Sequence, residues 1–306
     1  MIFTTKRILF LALLSVLSVS HTCYAQLLEI NTSPKVQIDY QPFSGLSAST
    51  TLNINITGLN TTSESDSNNS QRNRFQIRIT PSLGSLTAKS DQGDELPLNF
   101  ISNQNGARVQ LIGNQFVENI NLNLNRRQRF NVNYSISLPE SQFAKPGIYR
   151  SLLDIDIITI SNNEVISNNE VVEVEVIVKP KIQANIAGSR IGRKSNIAII
   201  DFGKLESNES GSVFLHVQGN TNAQILLTSE NDGQLVNQSD NNESFIDYHI
   251  EFDGTKSNLS SPLNVTRSVA QTLRGSSYPL HVFIGEVEGA YAGKYRDIIS
   301  IDVNPE

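Results

Sequence analysis

The residues of this chain whose chemistry could reach beyond packing are four histidines, one cysteine and a few carboxylates that alternate along the sequence. His216 and His281 fall within apolar alternating segments, with no base or nucleophile at an activating spacing, and His249 stands alone between Tyr248 and Ile250. Asp154, Asp156 and Asp302 resemble carboxylates paired for acid–base work. Residues two apart on a strand share one face, however, so solvation of a polar face is their simpler explanation. Glu173 and Glu175 read likewise as solubilising charges at a sheet edge. No metal-ligand spacing, phosphate loop or nucleophile elbow occurs. The sequence therefore predicts no enzyme, no catalytic residue, no metal and no cofactor.

Cys23, the single cysteine, belongs to a leader. Lys6 and Arg7 precede an apolar run over residues 8–19, and Cys23-Tyr24-Ala25 closes a short polar stretch. Residues 1–25 are expected to be a secretory signal peptide cut after Ala25, because the apolar run is too short for a comfortable membrane span. The mature chain then has no thiol, which excludes disulfides, thiol catalysis and cysteine-held metals. Its formal charge falls from −6 to −8 with the loss of Lys6 and Arg7, so no basic nucleic-acid footprint exists.

The elements that must position any site are strands. Leu52, Ile54 and Ile56 alternate with Asn53 and Asn55; Val132, Tyr134, Ile136 and Leu138 follow the same period. So do Ile120, Leu122 and Leu124, and then Val172, Val174, Val176 and Val178. Later come Val213, Leu215 and Val217, then Tyr248, Ile250 and Phe252, then Leu280, Val282 and Ile284. Each pattern predicts a strand with one face in a core. Half-buried strands throughout predict an all-β fold of sheets packed face to face. The one candidate helix, near 265–273, fits a strand and loop equally well. Residues 61–74 are polar and low in complexity, as in a long hairpin loop.

An internal repeat sets the domain count. Pro34-Lys35-Val36-Gln37 returns as Pro180-Lys181-Ile182-Gln183, and the segment from Gly147-Ile148-Tyr149-Arg150 to Ile157 returns from Gly293-Lys294-Tyr295-Arg296 to Val303, both 146 residues later. A weaker pair links residues 75–80 to 223–228. Two tandem domains are expected, 26–179 and 180–306, after the signal 1–25. The first repeat continues into the strong strand 171–178, and nothing matching it follows Val303 in the second. Either the second domain lacks a strand that a partner donates, or it closes with another segment, or the first has gained a hairpin. Tyr149 and Tyr295 are equivalent, each expected to pack with its hydroxyl bonded to backbone.

Asp201-Phe202-Gly203-Lys204-Leu205, the strand 212–217, the run 229–235 and the terminal Ala292-Gly293-Lys294-Tyr295-Arg296-Asp297 with residues 299–303 resemble the spore coat protein U domain, which is widespread in secreted bacterial pilus proteins of the archaic chaperone–usher type. The likeness is good over 181–306 and loose over 34–178, and the mature chain departs from it in having no cysteine. The resemblance implies immunoglobulin-like β-sandwich domains, the C-terminal one lacking its last strand. The partners it implies are a periplasmic pilus chaperone, an outer-membrane usher and an adjacent pilin subunit that donates a strand. It implies passage through the inner membrane and periplasm to a cell-surface fimbrium. A two-domain chain of this kind is most like a tip adhesin, since residues 26–33 are short for a donor strand.

On this reading the donor-strand groove is expected between the terminal strand, with Ile299, Ile301 and Val303, and a first strand around Ile197, Ile199 and Phe202. Adhesive loops are expected in the first domain, far from residue 180, where Phe43, Leu46, Leu83, Leu86, Phe100 and Ile101 lie among Gly, Ser and Asn. The competing reading is a self-contained exported two-domain binding protein of the surface or periplasm, not incorporated in a pilus. A carbohydrate-acting enzyme ranks behind both, lacking an acid–base pair.

Overall fold

The computed structural model describes residues 28–58, 73–102, 111–112, 115–122, 129–160, 163–187, 196–239 and 244–306. The expected signal peptide and nearly all of the polar stretch 61–74 lie outside these residues, as does Leu124. Every regular element among the described residues is a strand, and the segment 265–273 starts as a strand and continues as a loop.

Residues 28–178 supply β1 (Leu28–Thr32), β2 (Lys35–Tyr40), β3 (Ala48–Gly58), β4 (Asn73–Pro81), β5 (Thr87–Ser90) and β6 (Glu95–Pro97). They continue with β7 (Asn99–Ser102), β8 (Leu111–Ile112), β9 (Gln115–Leu122), β10 (Arg129–Leu138), β11 (Gly147–Thr159) and β12 (Glu170–Val178). One sheet has the order β1-β3-β10-β7, and the facing sheet runs β2-β12-β11-β4-β9-β8 with β5 and β6 attached to β11. In the first sheet Leu52, Ile54 and Ile56 are at most 1% exposed while the asparagines between them face water. Tyr134 lies opposite Leu52 and Val132 opposite Ile54. A slip of one residue would bury Asn53 and Asn55, which fixes the register.

Residues 182–305 supply β13 (Ile182–Ala187), β14 (Ser210–Gly219), β15 (Ala223–Ser229), β16 (Gln234–Asn237) and β17 (Phe245–Phe252). After these come β18 (Thr255–Ser257), β19 (Leu263–Arg267), β20 (Ser276–Ile284), β21 (Tyr295–Arg296) and β22 (Ile299–Pro305). The order is β13-β14-β20-β17-β16-β21 in one sheet, with β18 on β17, and β19-β15-β22 in the other. Each half has its own apolar core, and the two cores share no residue. At the junction the buried side chain of Asn220 accepts from Lys181 N at 2.8 Å and donates to Lys179 O at 3.1 Å, fastening the start of β13.

Glu173 and Glu175 of β12 are not edge charges. β12 lies between β2 and β11, and Glu175 is 5% exposed with its carboxylate 2.7 Å from Lys35 Nζ. Alternation had identified their face correctly, but a strand's neighbours depend on residues far off in sequence.

Candidate strand-accepting cleft

The geometry of β12 in the first half sets the reference for the second. It runs parallel to β2, with Val174, Val176 and Val178 beside Val36, Ile38 and Tyr40. It runs antiparallel to β11, with Val172, Val174 and Val176 beside Leu153, Ser151 and Tyr149. Val172, Val174, Val176 and Val178 are at most 2% exposed, and Leu153, Ile155 and Ile157 of β11 are fully buried. Covering both edges at once satisfies their backbone groups and seals the core between the sheets.

The second half repeats the β11 flank of that arrangement. Ile301 pairs with Leu227 and Val303 with Ile225, as Ile155 pairs with Ile79 and Ile157 with Ile77. Tyr295 and Arg296 pair with β16 as Tyr149 and Arg150 pair with β5. Tyr149 donates its hydroxyl to the carbonyl of Lys145 at 3.0 Å, and Tyr295 donates to that of Tyr291 at 2.7 Å, four residues back in both cases. This is the corner bond of immunoglobulin-like sandwiches.

Among the described residues, no strand pairs with the outer edge of β13 or of β22. The side chains there are accordingly half-buried: Ile182, Ala184 and Ile186 on β13, and Ile299, Ile301 and Val303 on β22. Their equivalents in the first half are buried. Across the described residues the first core has 32 buried members and 2 half-buried ones at its margin; the second has 14 and 12. That excess of half-exposed core locates an apolar cleft. β13 and β22 come within 8 Å of each other between Cα atoms. Two strands flanking a third stand about 9.5 Å apart, so β13 and β22 lie closer together than a pair with a strand between them.

One wall of the cleft is braced by Asp297, between β21 and β22. Its carboxylate accepts from Ser229 Oγ at 2.6 Å, from Asn231 N at 3.1 Å, from Asn231 Nδ2 at 3.0 Å and from the Tyr248 hydroxyl. Burial, and then the bond to Asp297, raise the Tyr248 pKa well above that of a free phenol. The folded state thus favours the neutral phenol. Its contribution is complete below pH ~10 and declines as pH rises from there toward the folded-state value. Tyr248→Phe should flatten the alkaline arm of a stability-versus-pH profile, and Asp297→Ala should cost about 2 kcal/mol at neutral pH.

The sequence-expected residues fall as follows. Ile299, Ile301 and Val303 line the cleft. Ile197 and Ile199 do not: they are 65% and 59% exposed in a segment without strand pairing, whose inward set is Ala198, Ile200 and Phe202. The wall opposite β22 is β13. The repeat carried that signal, since 146 residues separate Val36, Ile38 and Tyr40 from Ile182, Ala184 and Ile186.

Of the expected adhesive residues, Leu46 is 69% and Leu83 44% exposed, and Phe43 and Ile101 are half-buried. Leu86 and Phe100, 7% and 4% exposed, belong to the core; Phe100 stacks on Tyr134 at 4.7 Å between ring centroids. Nor is the turn holding Phe43 and Leu46 far from residue 180, because Lys181 Nζ donates to Gln41 Oε1 at 3.3 Å. β11 starts beside that junction and runs 13 residues away from it, about 40 Å. The end remote from the junction carries Ile160 and Val165, 40% and 42% exposed, which no loop signal had singled out.

No family model matches the chain, and no curated protein matches it in sequence. Among solved structures, it is similar to a chain of the CsuC–CsuE chaperone–tip adhesion subunit pre-assembly complex from the archaic chaperone–usher Csu pili of Acinetobacter baumannii. The TM-score is 0.50 at 15% identity, over 90% of this chain and 99% of that one. The CupB6 tip adhesin from Pseudomonas aeruginosa matches at a TM-score of 0.41 and 10% identity, over 90% of this chain and 94% of that one. The fold is thus all-β and of the immunoglobulin-like type found in pilus adhesins and their chaperones.

Proposed function

We propose that the chain is a non-enzymatic, adhesive subunit of a chaperone–usher pilus, exported by cleavage of residues 1–25 and placed at the end of the fibre. Its C-terminal domain, 180–306, accepts a strand from an adjacent subunit, laid parallel to β13 and antiparallel to β22. A periplasmic chaperone covers the cleft before assembly at an outer-membrane usher. The single observation that carries this reading is that six apolar residues flanking the vacant position are half-buried, whereas the first domain's equivalents are sealed by β12. The end position is supported by Leu28–Thr32, which is committed to pairing with β3; Leu28 and Ile30 are at most 2% exposed. Attachment falls to the remote end of the first domain.

The near approach of β13 and β22 favours the second reading, a self-contained binding protein closed by its own edges. Crosslinking in assembled fibres separates the two. With Cys23 removed alongside the signal, Asn185→Cys on the exposed side of β13 gives the mature chain a unique thiol. A short thiol–amine crosslinker on whole cells should join it to one neighbouring subunit. Products confined to the chain itself would support self-closure and contradict donation. For attachment, Ile160→Ser combined with Val165→Ser should reduce binding to an apolar surface several-fold with stability changed by less than about 0.5 kcal/mol. Leu46→Ser should leave binding unchanged.

A further inference from the structure

We propose that the strand accepted by the cleft carries a carboxylate on its outward face, opposite Arg296 and beside Lys181, flanked by inward-pointing apolar residues. This rests on the strand-accepting reading and adds the chemistry of the partner segment.

The first domain supplies the template. On β12 the inward valines alternate with outward Glu173 and Glu175. Glu175 lies directly opposite Arg150 on β11, and Glu173 lies beside Lys35 on β2. Lys35 Nζ reaches Glu175 at 2.7 Å, and Arg150 Nε reaches Glu173 at 3.2 Å and Glu175 at 3.6 Å. The acids of the central strand are thus held by one cation from each flanking strand.

The repeat preserves the cations. An offset of 146 residues takes Lys35 to Lys181 and Arg150 to Arg296. Lys181 directly precedes β13, at one side of the vacant position, and Arg296 lies on β21, which pairs with β16 as Arg150 pairs with β5. The Lys181 ammonium donates to the amide oxygen of Gln41 at 3.3 Å, a neutral partner. Among the described residues, no carboxylate forms an ion pair with Lys181 or Arg296. Two cations converging on one strand position favour an acidic occupant and disfavour a basic one, a discrimination that apolar pockets alone cannot make.

The test extends the full mature chain beyond Glu306 with a second copy of residues 161–178, whose register follows from the same offset. Three versions of the copy are compared by calorimetry at low salt: unchanged, Glu173→Gln with Glu175→Gln, and Glu173→Lys with Glu175→Lys. The unchanged copy should give the highest unfolding temperature for the second domain, the Gln copy about 5 °C lower and the Lys copy lower still. The differences should shrink in 1 M salt, where the screening length is about 3 Å. Lys181→Glu with Arg296→Glu in the host chain should reverse the order. Equal stabilisation by the Glu and Gln copies would overturn the acidic-strand proposal while leaving the cleft reading intact. No stabilisation by any copy would overturn the cleft reading itself.

Discussion

Extended past Glu306 with residues 161–178, the chain is expected to unfold its second domain at a temperature about 12–20 °C above that of the unextended chain. The gain follows from what the copy buries. Four valines leave water, and Ile182, Ala184, Ile186, Ile299, Ile301 and Val303 pass from half-buried to buried. Apolar burial contributes roughly 25 cal/mol per Å², opposed by the entropy of ordering the added strand. A net gain of about 3–5 kcal/mol corresponds to that rise at roughly 4 °C per kcal/mol. The first domain already holds β12 and should unfold where it did before. Calorimetry resolves the two transitions, and a uniform shift of both would indicate a cause other than filling the cleft.

The second large effect comes from one substitution made at two equivalent positions. Ile155 is fully buried beneath β12, and its repeat partner Ile301 is half-buried at the open edge. Ile155→Asp should cost more than about 4 kcal/mol and unfold the first domain near ambient temperature, because a carboxylate there has neither water nor a partner. Ile301→Asp should cost only about 1–2 kcal/mol in the unextended chain, since water still reaches the site. The same substitution should abolish the stabilisation by the added strand, because the strand would seal the carboxylate in. Equal losses at both positions in the unextended chain would mean that the second core is already closed.

Much of this architecture was legible in the residues. Alternation placed Leu52, Ile54 and Ile56 inside and their asparagines outside, and the offset linking Tyr149-Arg150 to Tyr295-Arg296 carried over into strand register and the corner hydrogen bond. The opposite wall was misplaced for a physical reason. Residues 197–200 read Ile-Ala-Ile-Ile, so both parities are apolar and neither marks the inward face. Leu86 and Phe100 stand among Gly, Ser and Asn, a loop composition, yet Phe100 sits on a four-residue strand whose pairing partner is 36 residues away at Ile136. Glu175 looked like an edge charge because alternation reports a face and not a neighbour; Lys35, which neutralises it, is 140 residues distant. The near closure of β13 and β22 had no sequence signal at all, since it arises where two edges lack a common partner.

The central claim concerns unpaired backbone along β22, which amide hydrogen exchange reads directly. In the mature chain alone, amides of Leu153–Ile157 should all be strongly protected: all five residues pair with β4, Leu153–Ile155 pair with β12 as well, and Ile157 N donates to Ser167 Oγ at 2.9 Å. In the equivalent stretch, Ile299–Val303, the amides directed away from β15 should exchange at near-unprotected rates. They should become protected when the added copy of residues 161–178 is present. Full protection of Ile299–Val303 in the unextended chain would show that the edge is already covered, and would contradict the vacant strand position on which the account rests.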